Sequence, residues 1–228
     1  MMSVTAIVTN HNYGRYLRRC IDSALEFCDE VLVYDDGSTD DSMDILASYG
    51  DRIHLTHRDD ATGDPVWGSN LGIIEATCTH LLFLDSDNYL VGPPPQNDVD
   101  YTFVDLPVVL DDETLIDTWR FVSWPSTARG ALLRFIEARG MPFPWAGVWR
   151  TSFVRELRWR RWVPETGYAA DFRTAVDWCL HGPTLTHDPT PYMVFRDHPG
   201  QWSKSPDDVL CGPAITATIE RTHQLIVG

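Results

Sequence analysis

The chain has 228 residues, 43% apolar and 22% charged, which is long enough and apolar enough to bury a sizeable core and argues against disorder. A formal net charge of −15 disfavours nonspecific attachment to nucleic acid or anionic membrane. No apolar run approaches the ~20 residues of a membrane span, and "SVTAIVT" near the N-terminus has no charged-then-apolar leader, so a soluble, cytoplasmic protein is expected.

The five cysteines (Cys20, Cys28, Cys78, Cys179 and Cys211) are odd in number and form no CxxC pair. Cys20 and Cys78 fall on apolar faces of expected helices, and all five are read as buried, reduced thiols. Nine tryptophans, several of them between 119 and 202, suggest an aromatic-lined surface in the second half.

In chain order, "VTAIV" (4–8) reads as a buried strand. "GRYLRRCIDSALEF" then places Leu17, Cys20, Ile21, Ala24 and Leu25 at helical spacing. "EVLVYDD" (30–36) is a second strand, broken at Gly37. Ser38 with Asp41 suggests a capping box for a short helix through Met43, Leu46 and Ala47. "RIHLTH" (52–57) is a third strand, a helix follows near 68–78, and "THLLFL" (79–84) is the fourth strand. Apolar strands alternating with amphipathic helices predict a parallel sheet covered on both faces. "VGPPPQND" (91–98) marks the best boundary between halves. Beyond it, "YTFVDLPVVL" reads as one strand, 128–139 and 169–182 as helices, and "TPYMVFRDH" (190–198) as a last strand. His181 and His187 show no ligand pattern and read as surface or loop residues.

In such sheets ligands bind beyond the carboxyl ends of the strands. Those ends here carry Thr9 to Asn12, Asp35 to Ser38, and "DSDN" at 85–88. "TNHNYG" lacks the GxGxxG that brings backbone against a pyrophosphate, and no GxxxxGK[ST] occurs. Asp85 and Asp87, with Ser86 as spacer, form either an Asx-type turn or a hard-oxygen site for Mg²⁺ or Mn²⁺. "DDGSTDD" (35–41) is either a helix cap over an acidic face or a ligand contact. "RELRWRRW" (155–162), a basic aromatic run in an acidic protein, is either a solvated face or a site for something anionic.

"TAIVTNHNYGRYLRRCIDSAL", "DEVLVYDDGSTDDS", "SNLGIIEATCTHLLFLDSDN" and a later "AADFRTAVDW" together resemble the inverting family 2 glycosyltransferases. The resemblance is dense over 3–90 and looser over 145–205. It implies a GT-A fold, a Rossmann-like α/β architecture with a mostly parallel central sheet flanked by helices. Residues 1–95 would be the nucleotide-sugar-binding half, and 96–228 the acceptor-binding and catalytic-base half of the same domain.

By the same resemblance, Thr9, Asn10 and Asn12 line a nucleotide pocket. Asp36 meets the base, usually uracil, Asp35 lies near the ribose, and Ser69 and Asn70 begin the third helix where the family often has Arg-Asn. Asp85 and Asp87 match the DxD pair that holds Mn²⁺ or Mg²⁺ against the diphosphate, with Asp85 also near the nucleotide. "FRDHPGQWSKS" (195–205) is similar to a YRxHxxS segment and makes His198 a contact to diphosphate or metal. Asp171 matches the general base, with Glu165 and Asp177 as competitors and plain helix capping as the structural alternative. The implied donor is a UDP-sugar and the implied acceptor a glycan or lipid-linked saccharide. Trp145, Arg158, Trp159, Arg160 and Arg161 would face the acceptor, and the basic run keeps a hydroxylated base in DNA open. A sugar nucleotidyltransferase would need a glycine- and Lys/Arg-rich loop after the first strand, which "TNHNYGRYL" lacks. A non-catalytic nucleotide-sugar-binding module is the remaining alternative.

Overall fold

Val4–Asn10 forms β1, and it is buried along nearly its whole length because it is an interior strand of a seven-stranded sheet. A computed structural model describes residues 2–62, 64, 66–121, 127, 130, 147–157, 174 and 178–201. After β1 come α1 (Gly14–Phe27), β2 (Glu30–Asp36), α2 (Ser42–Ala47), a 3₁₀ turn at Gly50–Arg52, β3 (His54–Arg58), α3 (Trp67–Glu75) and β4 (His80–Asp85). The second half supplies β5 (Tyr89–Leu90), β6 (Tyr101–Val104), β7 (Leu106–Val109), β8 (Leu115–Trp119), β9 (Gly147–Arg150), α4 (Thr151–Leu157), β10 (Leu185–Asp188) and β11 (Met193–Arg196).

The large sheet runs β10-β6-β9-β4-β1-β2-β3, with β9 antiparallel to both neighbours and every other pair parallel. Strands from both halves therefore share one sheet. A smaller sheet, β5-β11-β7-β8, stands beside it. The apolar stripe of α1 (Leu17, Cys20, Ile21 and Ala24) is buried, as its spacing requires. On the second-half side, Trp149 stacks on Tyr101 at 3.9 Å and meets Trp178 edge-on at 4.6 Å. Both tryptophans are fully buried, so they fill the core and do not line a surface.

α3 lies unusually close to the sheet. A Cβ at Gly72 would stand 2.6 Å from an Ile7 methyl, and one at Gly68 would stand 2.6 Å from the Tyr34 Cβ. The two glycines are four apart and so share one helix face. Gly72→Val is expected to cost roughly 2–3 kcal/mol through overpacking, read as a lower Tm and urea midpoint with an unchanged m-value.

Five local expectations are corrected. Ser38 does not cap α2. Asp41 is the N-cap residue and makes no side-chain cap bond, while the Ser38 hydroxyl is committed to Asp35. The third helix ends at Glu75, so Cys78 lies in the turn beyond it. Cys28 and Cys78 are only partly buried, whereas Cys20 and Cys179 are buried; all four are free thiols. "YTFVDLPVVL" breaks at Asp105 into β6 and β7, which join different sheets. The Asp105 carboxylate accepts hydrogen bonds from the Phe121 N–H at 2.9 Å and from His187 Nε2 at 2.8 Å, and these partners hold the break. His187 is accordingly a half-buried β10 residue, stacked on Phe103, and not a loop histidine. Of the expected helix at 128–139 only residue 130 is described, and it is helical; Cys211 lies outside the described residues. Of the expected 169–182 helix, residues 174 and 178–182 are described: 174 and 178–180 are helical, and the helix ends before His181, which lies in a turn.

Candidate functional site

The parallel strands β4, β1 and β2 end together at one edge of the sheet. Asp85 pairs in register with Thr9, and Thr9 with Tyr34. Strand alternation puts Thr9, Tyr34, Asp36 and Asp85 on the face covered by α3, since the Gly68 Cβ position lies against both Tyr34 and Thr9. Asn10, Asp35 and Ser86 fall on the opposite face. From Asp85 to Asp36 the path crosses two strand spacings and advances two residues, roughly 12 Å in all.

The opposite-face residues form a closed hub. Asn10 Nδ2 donates to Asp35 Oδ2 at 2.7 Å and to Ser38 Oγ at 3.2 Å, and Ser86 Oγ donates to Asn10 Oδ1 at 2.7 Å. Ser38 donates to Asp35 through its N–H at 2.9 Å and its hydroxyl at 2.6 Å. Asp35 and Ser86 have no exposed surface. Ser86 is thus a structural donor that ties β4 to β1 and not a spacer. Asn12 adopts a φ of 59°, and its Oδ1 accepts from Thr39 N at 2.7 Å and Asp40 N at 3.2 Å, which shapes the turn after β2. Among the predicted nucleotide residues, Asn10, Asn12 and Asp35 therefore use these polar atoms to set the shape of the edge. Ser69 is buried within α3 and Asn70 is half-buried.

The α3-face carboxylates are differently placed. Thr9 Oγ1 donates to Asp85 Oδ1 at 3.0 Å. Burial, and then the charge of Asp87, push the Asp85 carboxyl up to about 7, with the Thr9 bond partly opposing them. Asp87 is 5% exposed. Its Oδ2 faces His198 Nε2 at 3.2 Å and Gln201 Nε2 at 3.5 Å, while its buried Oδ1 has no hydrogen-bond partner. His198 is itself buried and packed between the rings of Tyr13 and Tyr16 at 5.4 and 4.8 Å.

Two residues of this shell were not foreseen. Gln201 Nε2 donates to the Arg196 carbonyl at 2.5 Å, and Gln201 Oε1 accepts from His198 N at 3.4 Å. Arg196, 4% exposed, donates through Nε to the Asp87 carbonyl at 3.2 Å, and its main-chain N–H donates to Asn88 Oδ1 at 2.9 Å. The available signal was the arginine two residues before His198 in "FRDH".

Among the described residues, no three His, Cys, Asp or Glu side chains converge as a complete metal cage. The residues nonetheless fit a Mg²⁺ or Mn²⁺ ion, which commonly takes one or two carboxylates and completes its shell with substrate phosphate and water. The orphaned Asp87 Oδ1 and the elevated Asp85 carboxyl are what a pocket short of positive charge should show.

A pH dependence follows. Between its unfolded value, about 4, and about 7, the folded protein keeps a proton on Asp85 that the unfolded chain has released. Without divalent cations, stability should therefore fall as pH rises through that window and level off above it. Asp85→Asn should remove this fall and raise Tm by a few degrees at pH 8, as read from melting curves in EDTA between pH 4.5 and 8.5.

Asp171, its competitors Glu165 and Asp177, and the acceptor candidates Trp145, Arg158, Trp159, Arg160 and Arg161 lie outside the described residues. Arg155, the first arginine of the basic run, donates to the carbonyls of Ala76 at 2.6 Å and Ile73 at 3.4 Å. It closes the C-terminal end of α3, where a cation is favourable.

A mostly parallel α/β sheet with acidic residues at the carboxyl ends of β2 and β4 defines a GT-A type protein. Comparison bears this out. Crystal structures of S. aureus TarS 1–349 superpose with TM-scores of 0.68 for the UDP complex and 0.67 for the UDP-GlcNAc complex. Each is 17% identical; they cover 96% and 99% of this chain and 72% and 65% of the TarS chain, respectively. Residues 5–91 match the model for Glycosyl transferase family 2. An uncharacterised glycosyltransferase of Nostoc sp. is 33% identical over 92 residues, 38% of this chain and 29% of that protein. The poly(ribitol-phosphate) beta-N-acetylglucosaminyltransferase TarS of Staphylococcus aureus is 30% identical over 99 residues, 40% of this chain and 17% of that protein. The chain thus spans less than a third of the length of these curated relatives. No helix among the described residues is long and apolar enough to cross a membrane.

Proposed function

We propose that the chain transfers a sugar from a UDP-linked donor to an acceptor hydroxyl, with inversion at the anomeric carbon and with the help of Mn²⁺ or Mg²⁺. The observation that supports this most is the acidic edge itself. Asp36 and Asp85 share one face about 12 Å apart, and the buried, half-satisfied Asp87 follows Asp85. Relatives crystallised with UDP and UDP-GlcNAc make the uridine diphosphate donor the first candidate.

In this reading Asp36 addresses the base, Thr9 and the start of α3 border the site, and Asp87 and Asp85 hold the cation. When bound, that ion would stabilise negative charge developing on the leaving diphosphate. His198, fixed by Asp87, Tyr13 and Tyr16, borders the diphosphate side. The acceptor hydroxyl must lose its proton on the sugar face opposite the leaving group, and Asp171 is assigned that task from the motif it matches. A glycan or other polyhydroxylated polymer is the favoured acceptor, in keeping with relatives named for poly(ribitol-phosphate), chondroitin and hyaluronan.

The test is a melting-temperature screen of UDP, UDP-GlcNAc and UDP-glucose with and without Mn²⁺, followed by UDP-release assays. Ligand at 100 times its Kd should add about 2.7 kcal/mol of apparent stability. No shift with any UDP compound would remove the reading. Asp171→Asn should preserve donor binding and lose transfer.

A further inference from the structure

β2 and β3 pair so that Asp36 and Arg58 are direct cross-strand partners, at the end of the site farthest from Asp87. Arg58 Nη1 lies 3.5 Å from Asp36 Oδ1 and donates to Thr62 Oγ1 at 2.5 Å. Thr62 in turn donates to Asp36 through its N–H at 3.2 Å and its hydroxyl at 3.1 Å. The guanidinium carbon sits 3.7 Å from the centre of the Trp67 ring, and Trp67 meets Tyr34 edge-on. Trp67 is the first residue of α3, the helix that closes over Thr9. The cation is therefore held in plane by stacking and at one edge by Asp36 and Thr62, which is the rigid use to which arginine is suited.

This arrangement restricts what can bind beside it. The cation proposed at Asp85 and Asp87 draws the diphosphate to that end, which leaves the Asp36 end for the base. A neutral ring that offers one N–H between carbonyls is complementary: the N–H faces the carboxylate and a carbonyl faces a guanidinium N–H. Arg58 Nε and Nη2 have no hydrogen-bond partner among the described residues and are available for that bond. A cytosine ring would turn a ring-nitrogen lone pair toward the carboxylate and an amino group toward a flanking donor. Both contacts are unfavourable, because unpaired polar groups at a hydrogen-bonding site discriminate strongly.

We infer that Arg58, stacked on Trp67 and paired with Asp36, is the specificity-determining residue that selects a uracil ring over cytosine. The assignment rests on the nucleotide-diphosphate reading of the site proposed above. It identifies the partner that makes Asp36 selective.

The experiment is calorimetric titration of UDP and CDP, with Mn²⁺, into the wild-type protein, Arg58→Met and Arg58→Lys. Wild type should bind UDP at least tenfold more tightly than CDP. Arg58→Met should weaken UDP about tenfold to a hundredfold, the range for a lost charged hydrogen bond, and weaken CDP far less, so the preference collapses. Arg58→Lys keeps the charge but loses the planar donor edge, and should fall between the two. It also serves as the folded control if Arg58→Met melts early. Equal weakening of both nucleotides by Arg58→Met would overturn the assignment in favour of a general charge effect, and so would unchanged UDP affinity. If wild type binds neither nucleotide, the donor reading itself fails, which is a different result from either of these.

Discussion

Asp87→Ala is expected to abolish cation-dependent binding of a UDP-sugar and to lower transfer by at least 10²–10³-fold, the loss typical when a principal group stabilising transition-state charge is removed. Asp87 Oδ1 is the one carboxylate oxygen of the edge that is buried, unpartnered and beside a second carboxylate. The effects on stability oppose each other. Removing the charge relieves its repulsion of Asp85, but it also strips His198 Nε2 and Gln201 Nε2 of an acceptor and leaves a small void. Asp87→Asn separates these effects because it keeps the volume and an acceptor oxygen while losing the charge. Calorimetry of UDP with and without Mn²⁺ should show the cation's contribution missing in both variants, with near-native melting for Asp87→Asn. Retention of Mn²⁺-enhanced UDP binding by both would refute Asp87 as the cation ligand.

Arg196→Met carries the largest expected cost in stability. The side chain is buried, and its guanidinium makes four hydrogen bonds to two other segments. Nε bonds the Asp87 carbonyl, Nη1 the carbonyls of Leu110 and Asp111 at 3.3 Å each, and Nη2 the Glu113 carboxylate at 2.7 Å. It thereby fastens the turn holding Asp87 to the β7–β8 hairpin. Methionine fills similar space but takes the arginine's donors from the carbonyls of Asp87 and Asp111, while the Leu110 carbonyl keeps the Glu113 N–H at 3.0 Å, so a loss of about 3–5 kcal/mol is expected. For a chain of this size that is roughly a 6–20 °C fall in Tm. Glu113→Gln should cost far less, about 1 kcal/mol, because Glu113 is 39% exposed and solvent screens the pair. Melting curves for the two variants compare them directly, and similar small shifts would show that the arginine is not the fastening.

Both experiments depend on features with different visibility in the sequence. The β1, β2 and β4 segments were legible because each is a short apolar run ending in polar residues, and buried parallel strands have that signature. "EVLVYDD" matches β2 at both ends. The spacing of Asp85 and Asp87 also marked them as a pair. What could not be read was which polar atoms remain available. Asp35 and Asp36 are neighbours of equal composition, yet alternation turns one into the Asn10–Ser38–Ser86 hub and the other toward Arg58 and Thr62.

The second half was harder for a related reason. A ten-residue apolar stretch looks like one strand, because periodicity registers burial and not the sheet in which a residue is buried. Only the partners of Asp105, which come from residues 16 and 82 positions away, divide it between two sheets. Arg196 was overlooked for the same cause, since a lone arginine in a strand gives no sign that it crosses to Asp87 and Glu113.

By itself, then, the sequence determined the α/β class, the order of the first four strands and the acidic edge at their ends, all of which follow from local periodicity and chemistry. The tertiary structure decided the rest. Long-range pairing put Asp36 and Asp85 on one face and locked Asn10 and Asp35 on the other. It left Asp87 with one oxygen unsatisfied and laid Arg58 beside Asp36, because contacts between distant segments are set by packing and register, which no local pattern encodes.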